Sequence, residues 1–142
     1  MQKEMNNIFW DTNLILDLLA RPDFSNSANT ILQNGKERGI TNCISFLSLA
    51  NFAYILRKSK KEDLYKLLKF LCLNFNVLAN DEKDILNAIS YEANDFEDAI
   101  QYETARRGHC DCIITRNKKD FSFSHLPIFT PEEYISTQLD PL

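Results

Sequence analysis

Four aspartates, Asp11, Asp95, Asp98 and Asp120, stand beside apolar runs where strands end or helices begin. Asp11 follows Ile8-Phe9-Trp10 and precedes Leu14-Ile15-Leu16, so a strand hands over to a helix at a carboxylate. In open parallel α/β sheets the carboxyl ends of strands are where ligands bind. Asp95 and Asp98 are three residues apart and share a helix face. If Asp11 and Asp98 converge to about 4 Å, their repulsion at an effective dielectric of 20 is about 4 kcal/mol. A fold relieves this by protonating one carboxyl, inserting a basic partner or binding a divalent cation. Oxygen-only donors with room for water favour Mg²⁺ or Mn²⁺ over zinc. Such an ion lowers the pKa of water and neutralises charge developing on a phosphate oxygen, so phosphodiester hydrolysis is the reaction that fits.

Neutral polar residues cluster with these acids. Thr115 and Asn117 follow the run Cys112-Ile113-Ile114 and fall on the same sheet edge as Asp11. Their hydroxyl and amide can orient water or a neighbouring carboxylate. Asn13 is placed to bond a carboxylate or a helix end, and Arg116 is a candidate phosphate contact that alternation turns away from its neighbours. Each acid also has a plainer role. Asp11 and Asp95 can be helix N-caps, Asp98 a capping-box partner and Asp120 a turn residue. Asp111 reads as the end of a turn and is left out of the site. Joint placement, rather than any single position, points to an acidic metal pocket.

The elements that must carry these residues alternate along the chain. Strands are expected at Asn7 to Trp10, Ile40 to Ile44, Phe75 to Ala79, Cys112 to Ile114 and Pro127 to Phe129. Helices are expected at Thr12 to Ala20, from Ser25 or Ser27 to Arg38, from Ser45 to about Leu56, Glu62 to Leu73, from Asn80 or Asp81 to near Glu92, and Asp95 to Arg107. Gly39 and Gly108 stop two of them. Thr130-Pro131-Glu132-Glu133 opens a last helix with Pro in the first turn and Glu three residues after the cap. Strands separated by helices imply right-handed crossovers and a parallel sheet. Short strands that are apolar throughout imply helices on both faces. The expectation is an α/β/α sandwich with a short central sheet, a single domain over residues 1–142.

Composition narrows the function classes. A chain of 142 residues with 44% hydrophobic and 25% charged residues is an ordinary globular one. A net charge of −4 argues against wholesale duplex DNA binding, which depends on neutralising many phosphates. Basic clusters at Arg57-Lys58, Arg106-Arg107 and Arg116 with Lys118-Lys119 can still act locally, within a Debye length of about 8 Å. The four cysteines lie mostly in apolar runs, as reduced buried thiols do, and no secretory signal is read at the amino terminus. Cys110 and Cys112 with His109 and His125 match no zinc-knuckle spacing. No run approaches the ~18 apolar residues of a membrane span. A cytoplasmic protein is expected.

At these residues the chain resembles PIN-domain proteins, the nuclease-like family that includes the VapC toxins. The matching blocks are Asp11-Thr12-Asn13, Ser48-Leu49-Ala50-Asn51, Asp95-Phe96-Glu97-Asp98-Ala99, Ile114-Thr115-Arg116-Asn117-Lys118-Lys119-Asp120-Phe121 and Thr130-Pro131-Glu132-Glu133-Tyr134. The resemblance implies an acidic pocket that binds Mg²⁺ or Mn²⁺ and cuts single-stranded RNA. Asp11 and Asp98 take the central metal roles, Thr115 and Asn117 the polar pair after the fourth strand, and Asp120 the nearby acid. It also implies a homodimer and, in toxins, an antitoxin that inserts a side chain into the pocket. Two departures stand out. Asn51 lies where much of the family carries Glu, and Asn117 where many relatives carry Asp. Fewer formal charges hold a divalent ion less tightly. The functional expectation is a metal-dependent endoribonuclease, with a catalytically weak RNA-binding or protein-interaction domain as the alternative. A phosphatase-like site lacks both the second acid after Asp11 and a lysine at the last strand.

Overall fold

The computed structural model describes residues 5–139, leaving out the Phe24 side chain; the first four and last three residues of the expected domain lie outside that range. Five strands form one parallel sheet: β1 Asn7–Trp10, β2 Thr41–Ser45, β3 Asn76–Leu78, β4 Cys112–Ile114 and β5 Ile128–Phe129. Seven helices connect or flank them: α1 Thr12–Ala20, α2 Ser25–Arg38, α3 Phe46–Ile55, α4 Lys61–Asn74, α5 Glu82–Ser90, α6 Phe96–Arg107 and α7 Pro131–Tyr134. The strand order is β3-β2-β1-β4-β5. The chain therefore steps outward from β1 to β3, then returns to the other side of β1 at β4. That reversal opens a crevice between β1 and β4 at their carboxyl ends, the topological switch point of an open α/β sheet.

Strand alternation divides the core into two halves. Ile8, Trp10, Ile44, Cys112 and Ile114 pack with Leu14, Ile31, Phe52 and Leu71 on one face. Phe9, Cys43 and Ile113, one step out of phase, pack with Tyr102, Ala105 and Phe121 on the other. A strand whose odd and even positions are both buried needs helices above and below, and the expected three-layer sandwich follows.

Helix ends match the residues that can satisfy them. Ser45 accepts from the Ser48 N–H, and Asp81 with Asp84 forms a capping box, as do Thr130 and Glu133. Gly39, at φ 71, follows α2 in the left-handed conformation that glycine tolerates. Some boundaries differ from expectation. The turn Pro22–Phe24 leads straight into α2 at Ser25, so Ser27 lies inside that helix rather than capping it. The second strand shifts by one residue because Ser45 still pairs with Leu78.

One buried polar side-chain bond joins the neighbouring strands β1 and β2. Trp10 Nε1 donates to Asn42 Oδ1 at 2.9 Å, and the Trp10 ring meets Phe75 edge-on at 4.9 Å. Gly35 leaves room for that bond, since a Cβ there would stand 2.6 Å from Asn42 Nδ2. Removing the acceptor strands a buried indole N–H, which costs about 1–3 kcal/mol. Asn42→Ala is expected to lower the unfolding free energy by that amount, which moves the urea midpoint down without changing the slope. Fluorescence of the single tryptophan follows the transition, and an unchanged midpoint would contradict the role given to this bond.

Candidate metal and phosphodiester site

Register brings the first pair of site residues together. Trp10 pairs with Ile114 across β1 and β4, and the Asp11 N–H donates to the Ile114 carbonyl at 3.0 Å. Asp11 and Thr115 are thus the first residues beyond two adjacent strand ends. The Thr115 hydroxyl donates to Asp11 Oδ2 at 2.7 Å, and the Thr12 N–H donates to Oδ1 at 2.9 Å. Asp11 is both an N-cap and a site-facing carboxylate, only 8% exposed. Burial pushes its pKa up, while bonds from Thr115 and Thr12 oppose the shift. Each oxygen keeps a lone pair for a further partner.

The Thr115 hydroxyl is the hub of this edge. It accepts from the Asn117 N–H at 3.1 Å and from Asn13 Nδ2 at 3.4 Å. Asn13 Oδ1 in turn accepts from the Arg116 N–H at 3.4 Å, so α1 is stitched to the segment after β4. The Asn117 side chain is exposed and lines a neighbouring cavity with Lys118 and Lys119. Arg116, the candidate phosphate contact, places its Nε on Asp17 of α1, a carboxylate with no solvent exposure. Asp111 lies at the opposite edge, accepting from the Asn6 and Asn7 N–H groups.

The remaining acids arrive from α6 and the turn Lys118–Phe121. Asp95 is the N-cap of α6, accepting from the Glu97 N–H at 2.9 Å. Asp98, one turn on, is half-buried. Its carboxyl is pushed up to about 7, by burial first and then by the charges of Asp11, Asp95, Asp120 and Glu97. Asp120 is exposed, but its charge also raises Asp11. Asp11, Asp98 and Asp120 are therefore electrostatically joined although 87 residues separate the first two in sequence. Among the described residues no three His, Cys, Asp or Glu side chains are grouped closely enough to hold an ion by themselves. Cys43, Cys110 and Cys112 are buried and Cys72 is exposed.

Three participants were not singled out from the sequence. Gln101 is wholly buried, and its Nε2 donates to Ser48 Oγ at 2.7 Å and Thr12 Oγ1 at 3.1 Å. Ser48 Oγ also bonds Thr12 Oγ1 at 2.6 Å and Ser45 Oγ at 3.0 Å. This knot fastens α6, α3 and α1 behind the carboxylates. Its signal was the three-residue step from Asp98 to Gln101, which puts both on one helix face. Glu97 is the third. Burial raises its pKa, as do Asp95 and Asp11, and a hydrogen bond from Asn51 opposes them. Asn51 thus stands beside a carboxylate supplied by another helix.

An acid-lined crevice at a switch point, in a five-stranded parallel sheet, places the chain among known folds. A toxin–antitoxin complex from Klebsiella pneumoniae is similar with a TM-score of 0.63 at 25% identity, over 87% of this chain and 97% of the other. VapBC-1 from nontypeable Haemophilus influenzae shares the fold, with a TM-score of 0.70 at 19% identity over 89% and 98% of the two chains. VapBC2 from Rickettsia felis, bound to a DNA fragment from its promoter, does so with 0.66 at 18% identity over 87% and 98%. No curated protein matches the chain. The family model described as PIN domain matches residues 7–119, four-fifths of the sequence and all four site aspartates but the last. The chain belongs to the PIN-domain family.

Proposed function

We propose that this chain, as one domain over residues 1–142, is a divalent-metal-dependent nuclease that hydrolyses phosphodiester bonds of single-stranded RNA. The observation that carries the reading is the electrostatic joining of Asp11, Asp98 and Asp120 at the β1–β4 crevice. The donor set fits Mg²⁺ or Mn²⁺. It is all oxygen, buried enough to raise the carboxyl pKa values, and leaves positions of an octahedral shell to water and phosphate. Mg²⁺ retains several waters and is commonly bound through one or two carboxylates plus substrate phosphate.

Asp11 and Asp98 would hold the ion, with Asp95 and Asp120 as further acids at the rim. When bound, it supplies charge neutralisation on the phosphate and a lowered pKa for water. The chain's own residues prepare that site. Thr115 fixes Asp11 Oδ2, and Asn13 and Asn117 hold the Thr115 hydroxyl. Asn51 restrains Glu97, and the Gln101–Ser48–Thr12 knot sets the helix that carries Asp98 against the strand that carries Asp11. Because structures similar to this one include toxin–antitoxin complexes, we assign the chain as the toxin of such a pair, with an antitoxin as partner. Assembly as a homodimer and a cytoplasmic location belong to the same proposal. No helix among the described residues is long and apolar enough to cross a membrane.

Cleavage of labelled single-stranded RNA should need Mg²⁺ or Mn²⁺ and stop with EDTA. Asp11→Asn and Asp98→Asn are expected to lower the rate at least ~100-fold, and Thr115→Val roughly 10- to 100-fold, as loss of a group orienting a ligand does. Activity that survives both aspartate substitutions would place the site elsewhere. A wild-type chain that binds RNA yet never cuts it would favour the binding-domain alternative that Asn51 suggested.

A pH signature tests the same carboxylates without activity. In the fold the Asp98 carboxyl titrates at about 7, against 3.8 for an unperturbed one. Between those values the native state holds a proton that the unfolded state releases, so stability falls as pH rises. Metal-free protein is therefore expected to melt at a lower temperature at pH 8 than at pH 5.5. Asp98→Asn should flatten that difference, and Mg²⁺ should raise the pH 8 melting point of the parent more than that of the variant. Parallel pH curves for the two proteins would refute it.

A further inference from the structure

The first turn of α6 separates two cavities. Asp95 and Asp98 line one, of about 280 Å³, together with Lys119 and Asp120. Phe96 and Glu97 line the other, of about 490 Å³, together with Phe46, Asn51, Asn80 and Ile85. Glu97, on the wall of the second cavity, is next in sequence to Phe96 and Asp98 and is close enough to Asp95 and Asp11 to feel their charge, so the second cavity adjoins the acids. Phe46 is 59% exposed and Phe96 50%, so two aromatic rings face solvent at its wall. Its size is that of a small-ligand pocket. From these features, and resting on the nuclease reading above, we propose that this cavity receives one unpaired nucleobase of the RNA strand.

The chemistry of the wall argues for a base over the other parts of a nucleotide. A phosphate is repelled by Glu97, whereas a base is uncharged and has two apolar faces suited to phenylalanine rings. Its edges carry the acceptors and donors that side-chain amides recognise. Asn80 has such an amide to offer. Its Oδ1 accepts from the Thr104 hydroxyl at 2.8 Å, while its buried Nδ2 has no partner among the described residues. Charge on the other flank suits the backbone. Arg116, Lys118 and Lys119 line a third cavity of about 340 Å³ that meets the acidic one at Lys119 and Asp120. A strand laid with phosphates over the lysines and a base in the aromatic cavity crosses the carboxylates between them. Only an unpaired base can enter, so the cavity selects single strands and reads one position.

The test is fluorescence anisotropy with labelled six-nucleotide RNAs, one for each base, and an abasic ribose-phosphate strand of the same length. All proteins carry Asp98→Asn so that the probe stays intact. Base-bearing strands should bind between roughly 5- and 150-fold more tightly than the abasic one, the range a stacked base contributes. Phe46→Ala and Phe96→Ala should each remove much of that advantage and leave the abasic affinity unchanged, while Phe96→Tyr retains it. Equal affinity for base-bearing and abasic strands overturns the proposal, as does failure to bind any strand. Light scattering that finds a dimer split by Phe96→Ala, with RNA affinity unaltered, assigns the face to a second copy and also overturns it. Base-dependent binding by a wild-type protein that cuts nothing would sink the nuclease reading alone.

Discussion

Parallel pairing of β1 with β4 sets where both strands stop, and the site is built on that alignment. With Trp10 opposite Ile114, Asp11 and Thr115 emerge side by side at the sheet edge, close enough for the hydroxyl to bond the carboxylate at 2.7 Å. A slip of one residue would turn the aspartate to the other face of the sheet, since side chains alternate with a period of two. The same register divides Ile8 and Trp10 from Phe9 into two separate cores, so it is held by apolar packing on both faces. The geometry of the acidic edge and the packing of the core are therefore enforced by one arrangement of hydrogen bonds.

Acidic repulsion is the counterweight. Asp98 sits where burial and four neighbouring acids all oppose its ionisation. The protein tolerates this through positions on the N-terminal turn of α6, where the helix dipole favours negative charge, and through the neutral scaffold behind it. Thr12, Ser45, Ser48 and Gln101 carry no charge and are bonded to one another, so they give rigidity without adding repulsion or demanding counter-ions. Two of the nearby cations are engaged elsewhere. Arg116 is spent on the buried Asp17, and Lys118 bonds Glu133 at 3.1 Å. Lys119 does line the acidic cavity, but Glu92, Asp95, Asp98 and Asp120 line it too, so negative charge still dominates there.

The two departures from the wider family acquire a physical setting. Asn51 does not leave an uncharged gap, because it lines one cavity with Glu97, a carboxylate from another helix, and opposes the upward shift of that carboxyl. Asn117 contributes through its backbone N–H to Thr115, while Asp120 brings charge to the same edge from the turn that follows. The charge count of the pocket is thus set by which helices meet, and not by any one motif read in isolation.

Alternation of apolar runs with capped helices was sufficient, on sequence alone, to read the α/β/α layering and all five strands to within two residues, and to set Asp11 at a strand end. Those features depend on local periodicity and on the rule that ligands gather at strand ends, both of which are written in neighbouring residues. Tertiary structure decided the rest. Asp95 turned out to serve as an N-cap, Arg116 to face Asp17, and Gln101 and Glu97 to join the site. Those outcomes depend on which helix faces are pressed together across 50 to 100 residues of chain, and a one-dimensional pattern carries no distance across that span.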